Sequence, residues 1–414
     1  MTSRERILTA INHKEADRVP RDLGSTPSSN ISAIAYNNVK KELKLKGGHT
    51  RIYDVCQQVV IPEEEILEKF KIDIVDIGRA FNTEESDWRD IVLSNGSTAQ
   101  YPVWFHPVKQ TDGQYFAYLK DGRLSARMPV GATFFDQVLF PYADGYPDNF
   151  DNLAQDLASV QWSAFTHSPW DHAGEPDFWT KMREKAMTLR ATTDKAVMLV
   201  IGCNLFEWGT FLRRIDNFMM DLYLEEDSVF KLVDALLEIH MENVKKACQY
   251  LGDVVDVIRF GDDLGMNTGP LMSPDLYRKY FKKGHKQMFR YVKEHSNMKT
   301  FLHSCGSIYR MLPDLIDSGL DIINPVQTSC FEMEPGRLKN EFGNDITFWG
   351  GGADVVSLLN RGTPEQVKED VKRRLDIFMK DGGYVFNSIH NLMPDHRAEN
   401  IIAMYEAVDE FGGY

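Results

Sequence analysis

Hydrophobic residues along this chain form short runs that alternate with longer amphipathic segments. Eight runs rich in β-branched and aromatic residues predict strands, at residues 18–24, 72–78, 196–202, 254–261, 300–303, 320–325, 346–350 and 383–390. Apolar positions at helical spacing predict helices between most of them, at residues 61–70, 228–250, 274–295, 308–318, 364–380 and 398–411. Repeated β–α units imply a parallel sheet. Eight such strands predict an α/β fold in which the sheet closes as a (β/α)8 TIM barrel.

One segment, from about residue 87 to residue 142, interrupts this alternation. Turn dipeptides such as Asn95-Gly96 and Asp112-Gly113 separate its aromatic and β-branched runs. Residues 101–108, 114–119 and 124–128 therefore predict an antiparallel meander, inserted after the second strand of the barrel. We interpret residues 1–414 as a single barrel domain with this insertion. The insertion would form part of a lid, a partner surface or a purely structural subdomain.

Composition and charge narrow the classes of function. A hydrophobic fraction of 43% with 26% charged residues is typical of a globular protein with a large core. The formal net charge of −14 repels nucleic acid and anionic lipid. The N-terminal residues lack the apolar core of a signal peptide, and five scattered cysteines indicate reduced thiols rather than a disulfide framework. We therefore expect a cytoplasmic protein that binds neither nucleic acid nor membranes.

Polar residues gather where the predicted strands end. In a (β/α)8 barrel the carboxyl ends of the strands converge on one pocket, so residues far apart in sequence become neighbours there. The polar residues at or just after these ends are Asp22, Arg79, Asn204, Glu207, Asp262, Asp263, His303, Cys305, Asn324, Gln327, Asp354, Asn387 and His390. The pattern predicts a polar active site or ligand pocket at this end of the barrel.

Within this set, His303 and Cys305 form the most informative pair. An imidazole and a thiolate two residues apart at a strand end can turn toward one ion, and both are good zinc ligands. A third ligand must come from elsewhere, and His390 at the end of the eighth strand would complete a His/Cys/His set with an open fourth position. The alternative is that His390 is a pocket histidine that binds no metal.

The acidic and amide residues suggest further roles. Adjacent carboxylates at a strand end, here Asp262 and Asp263, commonly bind polar substrate groups or move protons. Alternatively, they cap the next turn. Glu207 is either a general base or ligand, or a helix-start carboxylate stabilised by the helix dipole. The residues expected to bind substrate are Asn204, Gln327, Asn387 and Arg79.

Several common site motifs are absent from the sequence. No GxGxxG follows a predicted strand, so a Rossmann dinucleotide site is not supported, and there is no Walker A loop, GxSxG or HExxH. The three glycines at 350–352 follow a strand, but a triple glycine alone is a weak phosphate signal.

Motifs along most of the chain resemble the uroporphyrinogen decarboxylase superfamily. They are RERILTAI at residues 4–11, DRVP at 17–20, DDLG at 262–265, HSCGS at 303–307, DIINPVQ at 321–327, GTPE at 362–365 and NSIHNLMPD at 387–395. The fold that this resemblance implies is the same barrel. The tetrapyrrole-binding features of true decarboxylases are missing, since the paired-arginine loop is absent and Arg79 stands about where their aspartate would be. The retained His390 does not replace that aspartate.

The other branch of this superfamily contains cobamide-dependent methyltransferases. Their zinc ligands are a His-x-Cys pair and a cysteine at the end of the last strand. This chain is similar in His303 and Cys305 but has His390 in place of that cysteine. The exchange keeps zinc chemistry but replaces one thiolate by a neutral imidazole. The bound ion becomes more electrophilic and a bound thiolate less nucleophilic.

From the resemblance we expect a methyltransferase that moves a methyl group between a corrinoid protein and a small methoxy or N-methyl compound, a thiol or a folate. Zinc, a corrinoid on a partner protein and tetrahydrofolate as acceptor are the cofactors implied, and a homodimer is the implied assembly. In this interpretation Glu207, Asp262, Asp263 and His390 are catalytic, and His303, Cys305 and His390 are the metal ligands. The alternatives are a decarboxylase or lyase on a porphyrinogen or a smaller carboxylated substrate, and a non-catalytic ligand-binding barrel.

Overall fold

A seven-stranded parallel sheet is the centre of the structure, a computed structural model that describes all 414 residues. Neighbours in the sheet follow one another in the sequence, as expected for repeated β–α units. The strands, labelled β1 to β7, are Ile74–Asp76, Ala196–Gly202, Val257–Gly261, Lys299–His303, Ile322–Asn324, Thr347–Trp349 and Tyr384–Val385.

The first predicted strand, residues 18–24, closes the sheet. Arg21 forms a parallel bridge with Phe386, just beyond β7. On its other side, the Arg21 carbonyl accepts a hydrogen bond of 2.9 Å from the Asp73 amide, just before β1. Pro20 has no amide hydrogen, so this segment makes only a short ladder. The predicted (β/α)8 barrel is confirmed, with its first strand reduced to bridging residues.

Helices cover the outside of the barrel and follow most of its strands. Long predicted helices are present with small shifts of their ends; for example, residues 228–250 lie within Glu226–Leu251. None of the helices combines the length and the hydropathy that a bilayer-spanning segment requires. The α-helices are Ser3–Ile11, Ala33–Glu42, Glu64–Lys69, Leu153–Ser159, Gln161–Ala164, Phe178–Thr192, Phe206–Arg213, Ile215–Leu224, Glu226–Leu251, Pro274–Tyr280, Lys282–His295, Leu312–Asp317, Pro335–Phe342, Leu358–Arg361, Pro364–Phe378 and Ala398–Phe411.

The amino end of the barrel interior is filled with apolar side chains. Ile7 and Ile11 of the first helix pack against inward-facing residues of the strands. Those residues are Ile74, Ala196, Met198, Val257, Phe301, Ile322, Trp349 and Val385, all fully buried. Because this part of the interior is close-packed, polar chemistry is confined to the opposite, carboxyl end of the strands.

Short antiparallel strands lie between β1 and β2. Trp88–Val92 pairs with Thr98–Pro102, and a separate four-stranded sheet follows. Residues 101–108 were predicted as one strand, but the chain turns after Pro102, where the Phe105 amide bonds to the Pro102 carbonyl. The strands of the four-stranded sheet are Val108–Lys109, Tyr115–Tyr118, Leu124–Met128 and Asp136–Gln137.

Two small hairpins complete the strands of the molecule. Ile52–Asp54 pairs with Val59–Val60 near the start of the chain. Gly265–Met266 pairs with Gly269–Pro270 in the loop after β3. The second hairpin lies against the His303–Cys305 loop, because the Ser307 amide donates to the Met266 carbonyl at 2.9 Å.

Candidate metal centre

The three predicted metal ligands lie together at the carboxyl end of the barrel. His303 is the last residue of β4, Cys305 follows in the loop, and His390 lies in the loop after β7. Their ligand atoms are all within 4.8 Å of one another. The Cys305 Sγ is 3.3 Å from the His303 Nε2, and the two imidazole centroids are 5.4 Å apart. Residues 87 positions apart in sequence thus meet because both strands end at the same face of the barrel.

Asn324, the last residue of β5, orients His303. Its side-chain NH2 donates to the Trp349 carbonyl at 2.9 Å and to the Ser29 Oγ at 3.2 Å, which fixes the direction of the amide. The Asn324 Oδ1 therefore faces the His303 Nδ1 at 2.5 Å and accepts its hydrogen. This bond selects the tautomer whose Nε2 lone pair points toward Cys305, the arrangement usual behind a metal-bound histidine.

Burial keeps both histidines neutral. It lowers the pKa of His303 to about 3, with the nearby Arg259 charge acting in the same direction. Burial also lowers the pKa of His390 to about 4, with further lowering by His303. The Cys305 thiol responds oppositely, because burial and then the Asp263 carboxylate raise its pKa well above the usual value. At neutral pH the site therefore offers two imidazole lone pairs and a thiol that would release its proton to solvent only when a metal ion binds the sulfur.

This donor set fits a zinc ion. Ligands at ordinary Zn–N and Zn–S bond lengths lie roughly 3.3–3.6 Å apart around a tetrahedral ion, and the His303–Cys305 pair is already at that separation. Three protein ligands leave one position open, as in catalytic rather than structural zinc sites. The hydrogen bond from the His303 Nδ1 to Asn324 also favours a metal site, because metal-binding histidines usually donate their other ring N–H in this way.

Replacing Asn324 with leucine should lower zinc affinity by about 10- to 100-fold. The change removes the acceptor that holds the His303 ring, while the size of the side chain stays similar. Competition with a chromophoric chelator measures the affinity. The matched control is Asn387→Leu, because Asn387 is another fully buried strand-end amide but makes no bond to the three ligands. Equal losses in both variants would contradict the orienting role.

The pH dependence of zinc affinity should reflect one proton. Binding must displace the Cys305 proton, whereas the depressed pKa values keep His303 and His390 unprotonated. Raising the pH favours the thiolate, so the apparent dissociation constant should fall about tenfold per pH unit between about pH 5.5 and 8. Histidines with an ordinary pKa near 6.5 would add protons below pH 6 and steepen the dependence there. Chelator competition across this range would reveal such a steepening, which would contradict the account.

Two acidic side chains at the edge of this cluster are poised to hold a proton. Burial, and then the charges of Asp263 and Asp262, raise the pKa of Glu207 well above its usual value. Burial also raises the pKa of Asp263. The Asp263 Oδ1 accepts the Cys305 amide hydrogen at 2.8 Å and lies 3.8 Å from the His303 Nε2. Asn204 donates to Glu207 at 2.5 Å. Carboxyl groups of this kind suit general acid–base chemistry.

Asp262, the other predicted catalytic carboxylate, has a different place in the structure. It is fully buried and accepts the amide hydrogens of Leu205, Phe206 and Glu207 at 3.2, 3.0 and 2.8 Å. These amides begin helix Phe206–Arg213, whose free N–H groups and dipole favour a carboxylate. Asp262 thus caps the helix that follows the neighbouring strand β2, not the next turn of its own loop, and its catalytic role stays a prediction.

The remaining predicted substrate-binding residues are only partly brought to the site. Gln327 holds the cysteine loop, since its Oε1 accepts the Gly306 amide hydrogen at 3.0 Å. Asn387 is fully buried, and its side-chain amide donates to the Asp22 carbonyl at 2.9 Å. This bond joins the segment after β7 to residues 18–24, the first predicted strand. Arg79 forms an ion pair with Glu64 at 3.3 Å and bonds to none of the other predicted site residues.

Two residues of the site had no predicted role. Asn324 is one of the polar residues at the predicted strand ends, but no role was predicted for it. Its bond to His303 forms only because β5 pairs with β4. Arg259 lies inside β3, in a run that otherwise reads as an ordinary buried strand. The only signal in the sequence is a charge at an inward position of that strand, two residues after Val257 and two before Gly261.

The part of the chain that carries this cluster is similar to a known protein family. The sequence model of the uroporphyrinogen decarboxylase family matches residues 206–411, which include all three ligands. A methylated-thiol–coenzyme M methyltransferase of Methanosarcina mazei is 27% identical over 153 residues, 34% of this chain and 38% of the relative. A uroporphyrinogen decarboxylase of Methylococcus capsulatus is 31% identical over 100 residues, 24% of this chain and 27% of the relative. The matched segments thus span well under half of each curated relative.

A solved structure supports the fold along the whole chain. It is that of a methyltransferase from Methanosarcina mazei, which matches with a TM-score of 0.60 at 16% identity. The match covers 99% of this chain and 99% of that one. At this identity the likeness establishes the shared barrel, including the segments before residue 206.

Proposed function

From a barrel whose residues 206–411 form a uroporphyrinogen decarboxylase family domain, we propose a methyltransferase rather than a decarboxylase. It would move a methyl group between a corrinoid protein and a small methoxy or N-methyl compound, a thiol or a folate such as tetrahydrofolate. The observation that carries the proposal is the His303, Cys305 and His390 cluster, with its oriented His303 ring. A methylated-thiol–coenzyme M methyltransferase among the relatives favours the same branch.

In this proposal His303, Cys305 and His390 hold zinc. A zinc ion there would act as a Lewis acid on a methyl-bearing oxygen, or lower the pKa of an acceptor thiol. The single Cys305 thiolate with two neutral imidazoles leaves the site more positive than two thiolates would. This more positive charge favours activation of a leaving oxygen or nitrogen over the methylation of a bound thiolate.

The protons of the reaction are assigned to Glu207 and Asp263. Their raised pKa values allow either group to carry a proton near neutral pH, where ordinary carboxyl groups are ionised. Demethylation of a methoxy or N-methyl compound needs a proton on the departing oxygen or nitrogen, which one of these groups would deliver. Asn204 would position Glu207, and Gln327 would hold the loop that carries Cys305.

The same carboxyl groups support a second candidate, a decarboxylase or lyase without metal. A protonated carboxyl group could protonate the carbanion left by loss of carbon dioxide, and the Methylococcus capsulatus relative carries the decarboxylase name. The ordered His/Cys/His cluster has no task in that reaction, so we rank it second.

Methyl transfer to free cob(I)alamin tests the proposal. The purified protein would be given cob(I)alamin and a panel of methoxy, N-methyl and methylthio compounds, and the methylated product followed by its absorbance. We expect product with at least one donor, and none with the Cys305→Ser variant. Turnover of uroporphyrinogen or release of carbon dioxide, without any methylated cobalamin, would instead favour the lyase.

A corrinoid protein is the proposed partner of this reaction, and a homodimer the proposed assembly. Both rest on the resemblance to the methyltransferase branch. Co-purification with a corrinoid protein and light scattering of the isolated chain test them separately.

A further inference from the structure

Arg259 is a buried cation inside the barrel. It occupies the middle of β3, paired in the sheet with Val200 of β2 and Phe301 of β4. Its exposed fraction is only 9%. An arginine remains charged in such a place, because its guanidinium does not lose its proton under ordinary conditions.

The guanidinium lacks a counter-ion within contact distance. No carboxylate oxygen of the protein lies within 4.0 Å of its nitrogens, and the acidic groups that act on its charge, Glu207 and Asp263, do so from beyond that distance. Its only hydrogen bond is from Nη2 to the Ser28 Oγ at 2.9 Å, and its Nε is buried with no acceptor. A buried charge without a partner is costly, so such groups usually face a ligand or another ion.

The side chain extends toward the candidate site. A Cβ placed on Gly261, at the carboxyl end of β3, would lie 2.8 Å from the Arg259 Nη1 and 2.9 Å from the Asn204 Nδ2. The guanidinium therefore lies over the bare Gly261 backbone, beside the amide that holds Glu207. Gly261 is also the sheet partner of His303. The Arg259 guanidinium thus lies at the height of His303 along the barrel axis.

Arg374 is a second buried arginine of this chain, and its guanidinium has an ion-pair partner. Its exposed fraction is also 9%. In contrast to Arg259, it pairs with the Asp370 carboxylate at 2.8 Å and donates to the Gly351 carbonyl at 2.9 Å. The lack of partners at Arg259 is therefore not a general feature of buried arginines in this protein.

We propose that Arg259 binds a carboxylate of the substrate, so that the site takes small methoxy or N-methyl compounds that carry a carboxylate next to the methyl-bearing group. The planar guanidinium presents donors in a fixed fork that matches such anions. This assignment rests on the proposed function for the reaction, but the anion site itself is defined by Arg259, Ser28 and Gly261.

Binding of matched probe pairs tests the proposal without turnover. The carboxylate probes are N,N-dimethylglycine and methoxyacetate, compared with N,N-dimethylethanolamine and 2-methoxyethanol. By calorimetry we expect at least one anion to bind roughly 10- to 100-fold more tightly than its neutral analogue. The Arg259→Gln variant should lose this preference and bind the neutral probes as before.

The proposal is overturned if no anion binds more tightly than its neutral analogue, or if the preference survives in Arg259→Gln. An anion preference without methylation of cob(I)alamin would support Arg259 and contradict the proposed reaction, so the two failures are separable.

Thermal unfolding distinguishes an arginine that binds substrate from one that stabilises the fold through an ion pair. Because Arg259 is unpaired in the free protein, Arg259→Met should melt at the same temperature as the parent or higher. Arg374→Met should melt lower, since the buried Asp370 then keeps only its ion pair with the exposed Arg373. A large loss of stability in Arg259→Met would assign Arg259 a structural role and overturn the proposal.

Discussion

Replacing Cys305 with serine is expected to lower the rate of methyl transfer by about 10³-fold or more, with little change in the fold. The thiol is the only sulfur donor of the cluster, 3.3 Å from the His303 Nε2. Serine keeps the shape of the side chain but is a poor zinc ligand, whereas loss even of a second-shell partner typically costs 10–100-fold. The rate of cob(I)alamin methylation and the zinc content of the variant measure the effect.

Cys330→Ser is the matched control for this prediction. Cys330 is also a free cysteine at the carboxyl end of the barrel, but its Sγ faces the Asn267 Oδ1 at 3.5 Å and is not part of the cluster. That variant should retain nearly the parental rate. A Cys305→Ser enzyme within a few-fold of the parent would remove the thiolate from the mechanism.

Asp262→Ala should destabilise the protein by about 3–5 kcal/mol, the range for removing one partner from a buried charged network. The carboxylate accepts three amide hydrogens at the start of helix Phe206–Arg213, and its Oδ2 lies 3.1 Å from the His285 Nε2. Without it, those buried donors have no acceptor. Denaturant unfolding followed by circular dichroism measures the loss.

The adjacent Asp263 should respond in the opposite way. Its carboxylate accepts one backbone hydrogen bond, from the Cys305 amide, where Asp262 accepts three. Asp263→Asn should therefore cost no more than about 1 kcal/mol of stability, while the rate and its pH dependence change. If Asp263→Asn proved the more destabilising substitution, the division into a capping and a proton-carrying aspartate would be wrong.

Much of the fold was predictable because strand and helix periodicities are local. The last strand shows the limit of this reasoning. Residues 383–390 were predicted to form it, yet only Tyr384–Val385 makes a regular strand, and the following residues bend so that His390 faces His303. Barrel closure through Arg21 likewise depends on two neighbouring strands that the sequence does not place in register.

The meeting of His303, Cys305 and His390 was predictable because convergence of strand ends follows from the barrel itself. The supporting residues were not. The role of Asp262 depends on a helix that begins 56 residues earlier, at Phe206, and the role of Asn324 depends on the tautomer of a histidine in the neighbouring strand. The role of Arg259 could not be predicted, because it rests on a buried Nε without a hydrogen-bond acceptor, which is seen only in the folded barrel.

The metal content of the protein, purified without added zinc and then equilibrated with it, tests the central claim most directly. Inductively coupled plasma mass spectrometry should find about one zinc ion per chain in the parent and in Cys330→Ser. His303→Ala and Cys305→Ser should lose nearly all of it while remaining folded. A folded parent protein that holds less than about 0.1 zinc per chain after equilibration, or ligand variants that keep their metal, would contradict the account.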